Sequence, residues 1–147
     1  MTMEKGVEII KDKNGNTIAI IVYNDYQKEG VSFFTPGDFS QQLAFISHKS
    51  GKTIGAHIHS VSKRDIHLTQ ETLFIKKGEL RVNFYDNDKN YFDSRTLAGG
   101  DIVMLCSGGH GFEVVKDVEM VEVKQGPYLD DKDKVRFKGI EKNDTSK

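Results

Sequence analysis

One cysteine in 147 residues leaves this chain no intramolecular disulfide and no multi-cysteine metal cluster, and it fits a reducing compartment. No apolar run approaches the roughly 20 residues that span a bilayer, and the opening "MTMEKGVEII" has none long enough for a signal peptide. The chain therefore reads as soluble and cytoplasmic. Neither sign of charge dominates: Lys plus Arg number 21 against 22 Asp plus Glu, so no global field draws the chain to nucleic acid or a membrane surface. That leaves a small molecule or another protein chain as the partner. Helical periodicity is almost missing, and neither an internal repeat nor a dividing linker is visible.

What is present is enough to build a core. Apolar residues make up 37% of the chain, with nine Phe and five Tyr, which suits one domain over residues 1–147. Short runs rich in Val, Ile, Phe and Tyr alternate with turn signals: "VEII", "TIAIIVY", "VSFF", "QQLAFISH", "ETLFI", "ELRVNFYD", "YFDSRTL", "DIVML", "GFEVV" and "VEMVEVKQ". Leu80, Val82 and Phe84 alternate with Arg81, Asn83 and Tyr85, a period-2 pattern that places the second set outward. The pattern predicts an all-β sandwich or closed barrel. From Asp130 onward charge dominates and only Val135, Phe137 and Ile140 offer apolar anchors, so 130–147 reads as a short docked segment with a loose tail.

The chemistry begins at "GKTIGAHIHS". His57 and His59 stand at i and i+2, and in a strand that spacing turns both imidazoles to one face, where they can share an ion or simply form a hydrogen-bonded pair. Glu71 opens the next apolar strand, where a carboxylate facing inward is costly unless it is neutralised. Gly78, seven positions on, marks an apparent hairpin turn. His110 starts a strand within "CSGGHGFEVV", among glycines that permit close backbone approach. Three imidazoles and a carboxylate make a donor set suited to one divalent ion (Fe, Mn, Ni or Zn) with positions left open for water or substrate.

Other polar residues carry both a functional and a plain reading. His67 is a rival ligand or a solvated loop residue, and His48 reads as an exposed strand end. Cys106 is a reactive thiol or a small core residue. Glu122 and Lys124 share one face of "VEMVEVKQ", either as an acid–base pair in the pocket or as a solvent stripe with Val121 and Val123 inward.

The spacing of Gly51, His57, His59, Glu71 and Gly78 resembles the first motif of the cupins, small β-barrels of the double-stranded β-helix or jelly-roll type. Gly100, Gly108 and His110 resemble their second motif. Eleven residues, "SVSKRDIHLTQ", separate His59 from Glu71, where the family has three or four; they read as an enlarged loop at the barrel mouth. Cys106 stands where the family has Pro, and His110 comes one residue early. The resemblance covers about residues 40–127. It implies a single cupin barrel, His57, His59, Glu71 and His110 as ligands of one metal ion, and a homodimer. The apolar excess of "TIAIIVY" and "VSFF" also points to a second copy.

Cupins host many chemistries, so fold does not fix function. The first expectation is a metal-dependent enzyme on a small polar substrate, sugar isomerase-like by resemblance to cupins of bacterial surface-polysaccharide biosynthesis, with Glu122 and Lys124 as catalytic candidates. The alternatives are a non-catalytic ligand-binding or sensing cupin and an Fe(II) dioxygenase.

Overall fold

Residues 17–22, "TIAIIV", carry branched or small apolar side chains on both parities, and such a strand must be covered on both faces. That is its place in the computed structural model, which describes residues 4–130 and 132–140. Strand β2 (Thr17–Val22) lies between β1 (Val7–Lys11) and β7 (Ile102–Leu105), and Ile18 to Val22 are all buried. Beyond β7 come β5 (Glu71–Tyr85) and β6 (Tyr91–Ala98), while β8 (Gly109–Lys124) pairs with the other edge of β5. A separate ribbon joins β3 (Gly30–Phe33) to β4 (Ala44–Ser47). Every pairing is antiparallel, and no helix occurs among the described residues.

The sheet curls into a half-barrel around one apolar cluster. Directly paired residues point to the same side of a sheet. The pairs Ala19 with Leu105, Ile21 with Val103, and Leu73 with Val103 therefore define an inner face, which Ile10, Ile75, Leu80, Val82, Phe84 and Leu97 complete. The two ends of the sheet, β1 and β6, come close enough for Arg95 Nη2 to meet Glu8 Oε1 at 2.6 Å, with the Tyr23 hydroxyl donating to Glu8 at 2.8 Å. On the outer face Ile20, Met104 and Cys106 are covered by Phe34, Phe39 and Leu43.

Gly78 has a different role from the hairpin turn expected of it. It sits inside the continuous β5, at φ +88°, in a bulge where the register with β8 shifts between Ile75 and Leu80. Inward parity is odd before the bulge, at Glu71, Leu73 and Ile75, and even after it, at Leu80, Val82 and Phe84. An extra residue in one strand flips the parity of everything beyond it, and it also bends the strand. Only glycine fits, because a Cβ at position 78 would stand 2.0 Å from the Asp117 carbonyl oxygen.

Four other sequence expectations change. "GFEVV" and "VEMVEVKQ" are one strand, β8. Asn83 and Tyr85 lie on the outer parity but are buried, not exposed. "TIAIIV" is covered by its own chain, which removes one of the two apolar arguments for a dimer; in "VSFF", Val31 and Phe33 remain exposed. The segment carrying His57 and His59 is not a strand: residues 52–68 have no regular structure and are exposed throughout.

Candidate functional site

Glu71 and Phe84 stand thirteen positions apart in β5, about 43 Å if the strand were straight. His110 pairs with Phe84, so a flat sheet would hold Glu71 and His110 far apart. Instead Glu71 Oε2 lies 3.3 Å from His110 Nε2. The bend at Gly78 folds the β5–β8 ribbon back on itself. The β7–β8 connection enforces the same closure, since Leu105 pairs with Glu71 and His110 follows only five residues later.

The glycines around His110 do a specific job. With His110 turned inward, positions 109 and 111 face outward, and there the Tyr85 side chain packs over the bare backbone. A Cβ at Gly109 would come within 2.8 Å of the Phe137 ring and 3.2 Å of Tyr85 Cβ. The Tyr85 and Phe137 rings meet edge to face at 5.0 Å. Close packing on the outer side thus fixes the backbone that aims His110 inward.

Electrostatics at the pair follow from burial and neighbours. Glu71 is 8% exposed, which alone would raise its pKa. The hydrogen bond from His110 outweighs that and holds the carboxyl below the usual glutamate range, with the positive charges of Lys124 and Lys134 adding to it. An ionised carboxylate accepting from an imidazole N–H puts one oxygen and one nitrogen on the same spot, and an ion held between them would displace the shared proton.

The pair opens into a cleft of about 760 Å³. Thr69, Phe112 and Glu122 line it, and the C-terminal segment forms another wall through Asp133, Lys134 and Phe137. The register settles the parity of the last strand: Glu122 pairs with Leu73 and Lys124 with Glu71, so both belong to the inner face. Val121 and Val123, half exposed, belong to the outer one. Glu122 lines the cleft, whereas the Lys124 ammonium lies 5.7 Å from the Tyr128 ring centroid. Glu113 pairs with Arg81 and faces outward.

His57 and His59 are not brought to this pair. Both are exposed, neither lines the cleft, and their rings stand edge to face at 5.2 Å. His57 Nδ1 is 3.0 Å from the Gly55 carbonyl oxygen; since a carbonyl only accepts, the bond places hydrogen on Nδ1. His67 is exposed in the same segment. Among the described residues, no three His, Cys, Asp or Glu side chains are grouped so as to hold a metal ion. Cys106 is 1% exposed, and burial pushes its thiol up to about 12. At neutral pH it is neither nucleophile nor ligand.

Sequence reasoning missed Tyr85 and the C-terminal wall. Their signal was present in the apolar Val135, Phe137 and Ile140 of an otherwise charged tail, but nothing local said what those residues cover. No known protein family, curated protein or solved structure matches the chain. No helix among the described residues is long and apolar enough to cross a membrane.

Proposed function

We propose that this chain is a metal-dependent enzyme of the cupin type, acting on a small polar substrate in the cleft with sugar isomerase-like chemistry. The observation that carries the reading is the Glu71–His110 pair, two donors from opposite ends of a ribbon meeting at 3.3 Å at the head of a cleft. His57 and His59 complete the donor set when the 52–68 segment folds over the open inner face, which also completes a jelly-roll barrel.

Two features support that closure. The segment exposes Ile54, Ile58, Ile66 and Leu68, and the inner face of β8 leaves Phe112, Val114 and Met120 at least 40% exposed. Joining the two sets covers apolar surface on both, at about 1.5–3 kcal/mol for each large side chain fully buried. The tether is short and its end is fixed. Gln70 is 2% exposed and accepts hydrogen bonds from the Ser40 hydroxyl and the Gln41 backbone N–H, which anchors the C-terminal end of the segment beside Glu71.

In this arrangement His57, His59, Glu71 and His110 hold one divalent ion, which when bound supplies Lewis-acid polarisation of substrate oxygens. Glu122, on the same inner face, is placed to take or give a proton, and Lys124 lends positive charge to Glu71. A homodimer through the exposed β3–β4 ribbon, where Val31 pairs with Ile46 and Phe33 follows on the same face, belongs to the same proposal. Sedimentation velocity checks it.

Elemental analysis of protein purified without added metal or chelator tests the central reading. About one transition-metal ion per chain is expected, with Glu71→Gln and His110→Ala variants each losing most of it. Wild-type protein that takes up no ion from Mn²⁺, Zn²⁺ or Fe²⁺ contradicts it. Metal retained without turnover of any sugar phosphate or nucleotide sugar favours a binding protein over an enzyme.

A further inference from the structure

We propose that the C-terminal segment 132–140 is a strap that reads the ligand, and that Asp133 accepts a hydrogen bond from a hydroxyl of a polyhydroxylated substrate. The strap has no strand pairing, yet it is anchored firmly at one end. The Ile140 backbone N–H donates to Tyr85 Oη at 3.0 Å, the Phe137 ring packs on Tyr85, and a Cβ at Gly139 would stand 2.7 Å from that same hydroxyl. Toward its other end it reaches the chemistry, since Asp133 and Lys134 line the same cleft as Glu71 and His110.

Asp133 is the anomaly in this wall. It lines the cleft, but its Oδ1 is shut off from solvent and has no hydrogen-bond partner among the described residues. The other such atom among the described residues, Tyr26 Oη, lies outside the cleft. A buried carboxylate oxygen with no hydrogen-bond partner in the protein costs about 1–3 kcal/mol or more. That cost disappears when a donor arrives from the cleft, with the Asp133 end of the strap lifting while Phe137 and Ile140 hold. A carboxylate accepts only, so the matching group is a hydrogen-bond donor, and a ligand hydroxyl supplies one. Glu122 lines the same cleft as a second acceptor, beside the cations Lys89, Lys134 and Arg136, and a polyhydroxylated ligand, whose hydroxyls both donate and accept, suits both signs.

The inference rests on the cleft being the substrate site, and its test separates it from the metal reading. D-glucose is titrated calorimetrically into wild type, Asp133→Ala and Asp133→Asn, each with chelator and again with Mn²⁺; uptake of Mn²⁺ is read separately. Wild type should bind D-glucose in both conditions, and Asp133→Ala should bind it about tenfold more weakly, the loss expected for one hydrogen bond to a charged acceptor. Its melting temperature should be unchanged or raised, because an unsatisfied oxygen has been removed. Asp133→Asn, which keeps an acceptor oxygen in the same shape, should fall between the two. Equal D-glucose affinity in wild type and Asp133→Ala, or no D-glucose binding by wild type, overturns the proposal whether or not Mn²⁺ binds.

Discussion

The four donors proposed for the metal divide evenly between two regions that differ in almost every physical respect. Glu71 and His110 belong to the β5–β8 ribbon, where each backbone is paired, one face is core, and Gly78, Gly109 and Gly111 fix the aim of the side chains. His57 and His59 belong to 52–68, which pairs with nothing and exposes every side chain. Spacing in the sequence treats the two pairs alike, but preorganisation does not. One pair is held by the fold; the other, to join it as proposed, would have to be ordered by the ion and would bring the entropy cost of that ordering with it.

The sharpest way to break this contrast is to damage the rigid half. Gly78→Ala puts a methyl against the Asp117 carbonyl at a positive φ, and it should lower stability by about 3 kcal/mol or more, measured by urea unfolding. An alanine variant as stable as wild type would mean that the bulge is not what bends the ribbon.

A smaller effect is expected at the far seam, where Glu8 and Arg95 join the sheet's ends. The Arg95 hydrogen bond, helped by the Tyr23 hydroxyl, holds Glu8 below its usual range. Its contribution is therefore complete above the ordinary glutamate value, near 4.3, and is lost as pH falls through the lower folded-state value. Glu8→Gln should cost about 1–2 kcal/mol at neutral pH, with the gap to wild type closing in acid. A gap that persists at the acid end would assign the loss to packing instead of charge.

In the irregular half the expected change is kinetic. Lys52, Lys63 and Arg64 lie in or beside the exposed segment, so trypsin should cut there first. Saturating Mn²⁺ should slow that cut by about tenfold or more if the segment closes, since cleavage follows the open population. Cleavage at an unchanged rate would keep the segment open in the bound state.

Much of the fold was legible because it rests on local pattern: "TIAIIVY", "DIVML" and the Leu80, Val82, Phe84 alternation all became core strands. The strand at His57 failed because its flanks, although apolar in part, found no pairing edge. Glu122 and Val121 were legible as opposite faces but not as to which face was inner. That depends on pairing with Leu73 across 49 positions of sequence, and apolar composition alone favours the wrong answer. Tyr85 followed the outward parity correctly, yet its burial comes from Phe137 and Ile140, 52 and 55 residues away. The parity switch at Gly78 left no periodic trace, because a bulge interrupts the very pattern that would announce it. The resemblance implied that Glu71 and His110 meet together with His57 and His59; the structure joins only the first two, and the bent ribbon that joins them was visible only in three dimensions.

If the two regions meet at one ion, the chain's five histidines make the meeting directly measurable. Histidine side chains labelled with ¹⁵N and assigned by single substitution are followed by NMR as diamagnetic Zn²⁺ is added. The ring nitrogens of His57, His59 and His110 should shift together with added Zn²⁺, while those of His48 and His67 keep their positions. Shifts at His110 alone, or at His57 and His59 without His110, would overturn the four-ligand site.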